Sequence, residues 1–117
     1  MASKLSHAIE FVGDMDRAVT FYRDVIGLPL KFQSPEWSEF STGEMTFALH
    51  PASDKNPAGK VEIGFEVPDI QTFHDEMTAK GVRFPMAPKK QEYGGVLARF
   101  EDCEGASVTV NGKHGDR

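Results

Sequence analysis

The sequence contains a single cysteine, Cys103, and no long hydrophobic run. One thiol cannot form an internal disulfide, so the hydrophobic core has to hold the fold together. The first residues, MASKLSHAIEF, lack the apolar segment of a signal peptide, and no stretch is long enough and apolar enough to cross a bilayer. We therefore expect a cytoplasmic protein that does not bind membranes.

Positive charge is also scarce. The chain has 13 Lys and Arg against 18 Asp and Glu, which gives a formal net charge of −5 at pH 7. Proteins that bind nucleic acids cluster their cations to displace the counterions of the phosphates. The one basic pair is Lys89-Lys90, in a proline-rich stretch that we interpret as a solvated loop. We expect no nucleic-acid partner.

What the chain does contain suits one compact domain. It has 117 residues, of which 39% are hydrophobic and 26% charged, and this is enough to bury a core without disulfides. Eleven glycines and seven prolines predict many turns and therefore short strands. We assign residues 1–117 to a single domain.

Near the start, a strand pattern changes into a helix pattern. Residues 5–12 alternate, as a half-buried strand does. Asp14 then stands at the N-cap position of a helix, and Gly27 supplies its stop. The side chains predicted to form one apolar stripe of this helix are Met15, Ala18, Val19, Tyr22 and Ile26.

The same order recurs later in the chain. Residues 61–67 alternate, Asp69 stands at an N-cap position, and Gly81 ends the second helix. The two caps are 55 residues apart and the two glycines 54, so one residue has been gained or lost between the halves. Short β-rich runs follow each helix. Each half therefore reads β-α-β-β-β.

The fold class predicted from this repeat is α+β. We expect two tandem β-α-β-β-β modules that form a curved mixed sheet around a cleft, with the helices on the outer face. Module one spans about 4–51, a polar linker about 52–59, and module two about 60–112. A cleft lined by small and polar side chains is a usual place for a small-molecule site. The alternative, a face that simply meets water, is equally compatible with the alternation.

The motifs HAIEFVGDMDRAVTFYRDVIGL and VLARFEDCEG resemble the vicinal oxygen chelate superfamily. This superfamily includes glyoxalase I, bleomycin-resistance proteins, extradiol dioxygenases and fosfomycin-resistance enzymes. The resemblance extends over nearly the whole chain and rests on His7, Asp14, the FYRDVIGL helix end, and Phe100-Glu101-Asp102 with Gly105. It implies the two-module fold, a cleft and a homodimer, but it does not indicate which reaction is catalysed.

The metal-dependent members of that superfamily take ligands from four strands. Position by position, the resemblance places these ligands at His7, Ala48, Glu62 and Thr109, and two of the four are not ligands of the expected kind. A divalent cation needs three or more protein donors. We therefore expect no metal. The alternative is a degenerate site in which His7 and Glu62, with His50 or instead Glu66 as the third donor, hold Ni, Zn, Mn or Fe.

The function expected from the resemblance is binding of a small organic molecule in the cleft, by a lyase, isomerase or dioxygenase with a degenerate metal site. Whether the protein is an enzyme stays open; as one, it would use Glu62 as base and His7 as polariser. The alternative is a metal-free protein that sequesters an aromatic or drug-like compound, which Trp37 favours. The predicted ligand contacts are Phe11, Trp37, Phe40, Ala48, His50, Glu66, Tyr93 and Thr109.

Overall fold

The computed structural model describes residues 3–92 and 94–112. They form two compact units: Ser6–Glu62 is one, and the other joins the first residues of the chain, up to Leu5, to Ile63 and the residues after it. Each unit contains one helical segment and a mixed four-stranded sheet in the order β-α-β-β-β. The α+β class and the two predicted modules are therefore confirmed.

The sheet of the Ser6–Glu62 unit has the strand order β2-β3-β4-β1. Strand β1 runs parallel to β4, with Ile9 opposite Ala48, and the other neighbours are antiparallel. This register brings the first and last strands of the module side by side. The strands are β1 (Lys4–Val12), β2 (Leu30–Phe32), β3 (Ser38–Ser41) and β4 (Thr46–Pro51).

The helix of this unit changes its pitch halfway. It is α-helical over Met15–Thr20, which we call α1, and π-helical over Phe21–Ile26. The Asp14 carboxylate caps α1 by accepting the backbone N–H of Arg17 at 3.0 Å. Gly27, with φ of 92°, ends the helix in the left-handed conformation. The predicted cap and stop are confirmed, whereas the π-helical segment is a feature that the periodicity does not reveal.

One side of this sheet packs against the helix. Its buried core consists of Val12, Val19, Phe40 and Leu49, with Tyr22 partly buried beside them. Ile26, which we predicted to complete the apolar stripe, is 54% exposed, so that assignment is wrong. The physical reason is the π-helical segment, because residues beyond Phe21 no longer follow the 3.6-residue period on which the stripe was based.

The second unit repeats the arrangement, with strand order β5-β8-β7-β6. Asp69 caps its helix by accepting the N–H groups of Gln71 and Thr72, both at 3.1 Å. The helix covers a core of Val67, Ile70, Phe73, Ala98 and Val110. The elements are β5 (Val61–Val67), α2 (Ile70–Ala79), β6 (Met86–Lys90), β7 (Val96–Glu101) and β8 (Ser107–Gly112).

Strand β6 corrects one assignment. Lys89 and Lys90 are exposed as predicted, but they lie in this strand and not in a loop. The strand stands at one end of the strand order, and lysine and proline are typical of such edge strands because they discourage pairing with another chain. Within the residues that the structure describes, no helix combines the length and the apolar character needed to span a membrane.

Candidate functional site

The predicted site residues of the first module share the face of its sheet that lies opposite the helix. On β4, Phe47 and Leu49 belong to the helix-side core, so the alternation sends Ala48 and His50 to the other face. The register then brings Ile9 beside Ala48 and Phe11 beside His50. We call this surface the helix-free face, and it comprises His7, Ile9, Phe11, Trp37, Glu39, Ala48 and His50.

Three aromatic rings stand in series on the helix-free face. The Trp37 ring lies 6.2 Å from that of His50 at an interplanar angle of 81°, and the His50 ring lies 5.4 Å from that of Phe11 at 64°. Both contacts are edge-to-face, an arrangement that the charge distribution of aromatic rings favours. Ala48 is fully buried in one cluster with Phe11, which is 5% exposed, and Trp37 packs against this cluster. Trp37, His50 and Phe11 are therefore brought together.

The orientation of His50 is fixed by its own backbone neighbour. Its Nδ1 lies 2.9 Å from the carbonyl oxygen of Pro51. A carbonyl oxygen can only accept, so Nδ1 carries the hydrogen and, in the neutral ring, Nε2 keeps the lone pair. His50 is exposed, and this Nε2 can accept a hydrogen bond from a ligand on the helix-free face.

Phe40 does not belong to this surface. We predicted it as a ligand contact, but it is fully buried in the helix-side core, with its ring 6.0 Å from Tyr22 and 5.8 Å from Phe47. The reason is strand parity: Trp37 and Phe40 are three positions apart, and side chains an odd number of positions apart in an extended chain point to opposite faces. The same parity puts Glu39 on the face of Trp37.

Glu39 and Lys31 are the site residues that the sequence analysis missed. The Trp37 indole N–H donates to Glu39 Oε2 at 2.8 Å, and Lys31 Nζ lies 3.7 Å from Glu39 Oε1. Glu39 lies opposite Ala48 in the strand register, which places its carboxylate beside the aromatic series. Trp37 and Glu39 are two positions apart, so the alternation of the strand could have indicated that they share a face. It does not show that Glu39 contacts Lys31 of another strand.

His7 and Glu62 lie at the start of β1 and β5, and both belong to the same unit. Glu62 is 4% exposed. Burial lowers the pKa of His7, and the opposing effects of the Glu62 and Glu39 charges do not cancel this shift. His7 is therefore neutral at pH 7, with its Nδ1 2.9 Å from the hydroxyl oxygen of Ser6. A neutral imidazole beside a buried carboxylate can exchange protons or hydrogen bonds with a ligand.

The donor set does not match a divalent metal site. Across residues 3–92 and 94–112, no three His, Cys, Asp or Glu side chains cluster so that they could hold a metal ion. Ala48 offers no donor where the resemblance implies a ligand, and His50, the proposed substitute, forms no cluster of three such side chains with His7 and Glu62. A cation would have only His7 and Glu62 of the expected kind, and these are too few to compete with its hydration shell.

The remaining predicted residues belong to the second unit or fall outside the described chain. Thr109 of β8 is buried opposite Gly64 of β5, and Glu66 follows two positions later on the same side of that strand. The Glu66 carboxylate lies 4.0 Å from Lys4 Nζ. Tyr93 lies outside the described residues.

Comparisons with known proteins find one similar sequence and several similar folds among those described next. YraH, an uncharacterized protein of Bacillus subtilis (strain 168), is 25% identical over 107 residues, covering 78% of this chain and 84% of that protein. The hypothetical protein BH1468 from Bacillus halodurans C-125 superimposes with a TM-score of 0.82 at 20% identity, covering 97% of this chain and 96% of that one. A variant of Streptomyces coelicolor methylmalonyl-CoA epimerase, in complex with 2-nitronate-propionyl-CoA, gives a TM-score of 0.79 at 19% identity, covering 96% of this chain and 95% of that one.

The structural matches are below 25% identity and show the fold alone. A sequence model of one family reaches further, because it matches residues 4–110, which include both modules. The motifs, the two capped helices and this match all indicate the same family. The chain belongs to the Glyoxalase/Bleomycin resistance protein/Dioxygenase superfamily.

Proposed function

We propose that the protein binds a small organic molecule whose planar or apolar part lies against Trp37, His50 and Phe11 on the helix-free face. The observation that carries this proposal is the edge-to-face series of the three rings, next to a fully buried alanine. Small-molecule sites are lined mostly by apolar and aromatic groups, with a few polar groups that fix the orientation of the ligand. His7, Glu39 and His50 Nε2 supply such polar groups here.

Binding to the ring series is tested through Trp37, the single tryptophan of the chain. We expect its fluorescence to change on titration with at least one member of a panel of aromatic and drug-like compounds. His50→Ala removes one ring from an exposed position and should weaken binding by about tenfold, the effect of losing one stacking contact. Phe21→Ala, which removes an exposed ring from the helix, should leave the affinity unchanged. A flat response across the panel contradicts the proposal.

A second candidate function is proton transfer next to a carbonyl group, as in an isomerase. The buried Glu62 carboxylate favours it, since it acts electrostatically on a neutral His7. Glu62 would remove a proton from a carbon atom of the ligand, and the neutral His7 would donate a hydrogen bond to the oxygen that gains negative charge. Structural similarity to an epimerase supports the reaction class only through the shared fold.

Hydrogen exchange in D₂O tests this candidate. A carbonyl compound identified by the Trp37 titration is incubated with the protein, and NMR follows replacement of its α-hydrogen by deuterium. Glu62→Gln should slow the exchange by about a hundredfold or more, the usual scale for a lost general base. Glu36→Gln, an exposed control, should not. The exchange should not depend on a metal. If it requires added Ni²⁺, Zn²⁺, Mn²⁺ or Fe²⁺ and stops with EDTA, the proposal that the protein works without a metal is overturned for both functions.

The expected assembly follows the resemblance. We infer that the protein acts as a cytoplasmic homodimer on a small-molecule ligand, without a metal cofactor and without nucleic-acid or membrane partners. The acidic balance of the chain supports the exclusion of nucleic acids. Light scattering on the purified protein checks the dimer, because a mass of one chain at micromolar concentration would contradict it.

A further inference from the structure

The Glu39 carboxylate holds two different groups on the helix-free face. Its Oε2 accepts the Trp37 indole N–H at 2.8 Å, a short charge-assisted hydrogen bond. Its Oε1 faces the Lys31 ammonium at 3.7 Å, which is beyond hydrogen-bond distance. The Glu39 side chain is 19% exposed and that of Lys31 62%. The indole is therefore held firmly, and the ammonium loosely.

The loose contact shows that a cation fits beside Oε1. An exposed lysine at this distance contributes little to stability, because solvent screens the pair and the side chain keeps much of its freedom. A better-placed cation can therefore take over the position at low cost. In this arrangement the Lys31 ammonium occupies the position beside Glu39 Oε1 that a cationic group of a ligand would take, and it competes with that group for the carboxylate.

We propose that Glu39, Trp37 and Lys31 form a subsite for an organic cation, in which an ammonium or guanidinium group on an aromatic ligand replaces the Lys31 ammonium at Glu39. The inference deepens the proposed binding function and rests on it. The aromatic part of the ligand contacts the ring series, and the cation reaches the carboxylate. Glu39 then acts twice, as the counter-ion of the ligand and as the group that fixes the indole.

The charges of the face favour this class of ligand over anions. Glu39 and Glu62 both act electrostatically on His7, so two carboxylates lie near this neutral imidazole. Their field attracts cations and repels carboxylates and phosphates. The site is thereby expected to discriminate by charge as well as by shape.

The test uses two probes that differ in one group, phenethylamine, which is a cation at pH 7, and the neutral 2-phenylethanol. Trp37 fluorescence and the NMR signal of its indole N–H report binding. We expect the wild-type protein to bind the cation about tenfold more tightly than the alcohol, and less selectively at high salt. Lys31→Met should tighten binding of the cation by about threefold and leave the alcohol unchanged, because it removes only the competitor.

Glu39→Gln provides the matched variant. The amide oxygen of glutamine can still accept the indole N–H, so the position of Trp37 is kept while the charge is lost. We expect this variant to bind both probes equally. Lys90→Met, which removes an exposed lysine from β6, is the control and should change neither affinity.

The outcomes separate this subsite from the binding function itself. Two results overturn the subsite and leave ligand binding intact. In one, the wild-type protein binds the two probes with equal affinity; in the other, Glu39→Gln keeps the preference for the cation. A failure to bind phenethylamine while another aromatic compound of the panel binds has the same consequence. If no compound of any kind perturbs Trp37, the proposed function fails, and the subsite fails with it.

Discussion

Glu10 is a charged residue on the helix side of β1, beside the apolar core of the first module. Its carboxylate accepts the hydroxyl hydrogen of Tyr22 at 2.5 Å, and both side chains are partly buried. A hydrogen bond to a charged group is stronger than one between neutral groups, and it compensates for the removal of this carboxylate from water. The alternation along β1 predicts the face of Glu10, but not Tyr22 as its partner.

Tyr22→Phe should destabilise the protein by about 1–3 kcal/mol at pH 7, the cost of leaving Glu10 without this donor. The hydrogen bond raises the pKa of Tyr22 to about 12, from 10.0. Between these values the folded protein retains a proton that the unfolded chain loses, so the contribution of Tyr22 to wild-type stability is complete below about pH 10 and is lost as the pH rises toward 12.

Urea unfolding at a series of alkaline pH values measures both effects. Tyr22→Phe should lack the part of the alkaline decline that belongs to this hydroxyl. Glu10→Gln is the matched variant, because it keeps an acceptor for the hydrogen bond, the main cause of the raised Tyr22 pKa, while removing the smaller effect of the Glu10 charge. An alkaline decline that is identical in the wild type and in Tyr22→Phe would show that the Tyr22–Glu10 bond does not control it.

The aromatic residues of β3 and the turn before it show what strand parity can predict. Trp37 and Phe40 both appeared suitable for a ligand wall, yet one lies on the helix-free face and the other in the helix-side core. Residue type alone suggested that both rings contact a ligand. Once the strand is assigned, its two-residue period places the two rings on opposite faces. The contact between Lys31 and Glu39 could not be predicted from the sequence, because it depends on the register of two strands and on side-chain rotamers.

At the scale of elements, the two helices differ by one residue between cap and stop. From Asp14 to Gly27 the chain advances one residue more than from Asp69 to Gly81. The first helix takes up this residue in its π-helical segment, where the Gly27 N–H donates to the carbonyl of Tyr22, five residues earlier, at 3.1 Å. A wider turn accommodates the extra residue while the helix still ends in a left-handed glycine.

Gly27→Ala tests the stop directly. An added Cβ would meet no atom within 4 Å, so the only cost is the left-handed backbone at φ of 92°. We expect a loss of about 1–2 kcal/mol in the free energy of unfolding, measured in urea. Gly81, with φ of 95°, is the equivalent position of the second helix, and Gly81→Ala should cost a similar amount.

Gly13→Ala is the control for these substitutions. Gly13 does not have a positive φ, and its Cβ would lie 3.9 Å from that of Ala58, an ordinary contact. Its effect should stay within about 0.5 kcal/mol, or be slightly stabilising, because alanine restricts the unfolded chain. Equal losses at positions 13 and 27 would contradict the view that backbone conformation sets the cost at Gly27.

The Asp102 loop explains why one of the superfamily motifs indicates fold and not reaction. The Asp102 carboxylate accepts the backbone N–H groups of Glu104 and Ala106, both at 2.9 Å, and Gly105 adopts φ of 84°. These contacts close the connection between β7 and β8. An Asp followed by a Gly three positions later therefore makes a turn, which any member of the fold can use whatever it binds.

At the scale of the whole molecule, the modules were predictable because caps and stops mark helices locally. The first strand after α2, Met86–Lys90, is poorly marked in the sequence. That strand contains a proline and an irregular register against β7, so its alternation is weak. The faces of Ala48 and His50 followed from periodicity, whereas the burial of Glu62 and the neutrality of His7 depend on packing that a single sequence does not display.

The π-helical segment also determines how the two halves of the chain, and related chains, are best compared. An extra residue taken up inside a helix shifts the phase of the positions after it and leaves the length of the next loop unchanged. The gap in an alignment of the halves therefore belongs at Phe21–Ile26, ahead of the glycine. A relative that is one residue shorter here is expected to have a continuous α-helix, with the position equivalent to Ile26 turned toward its core.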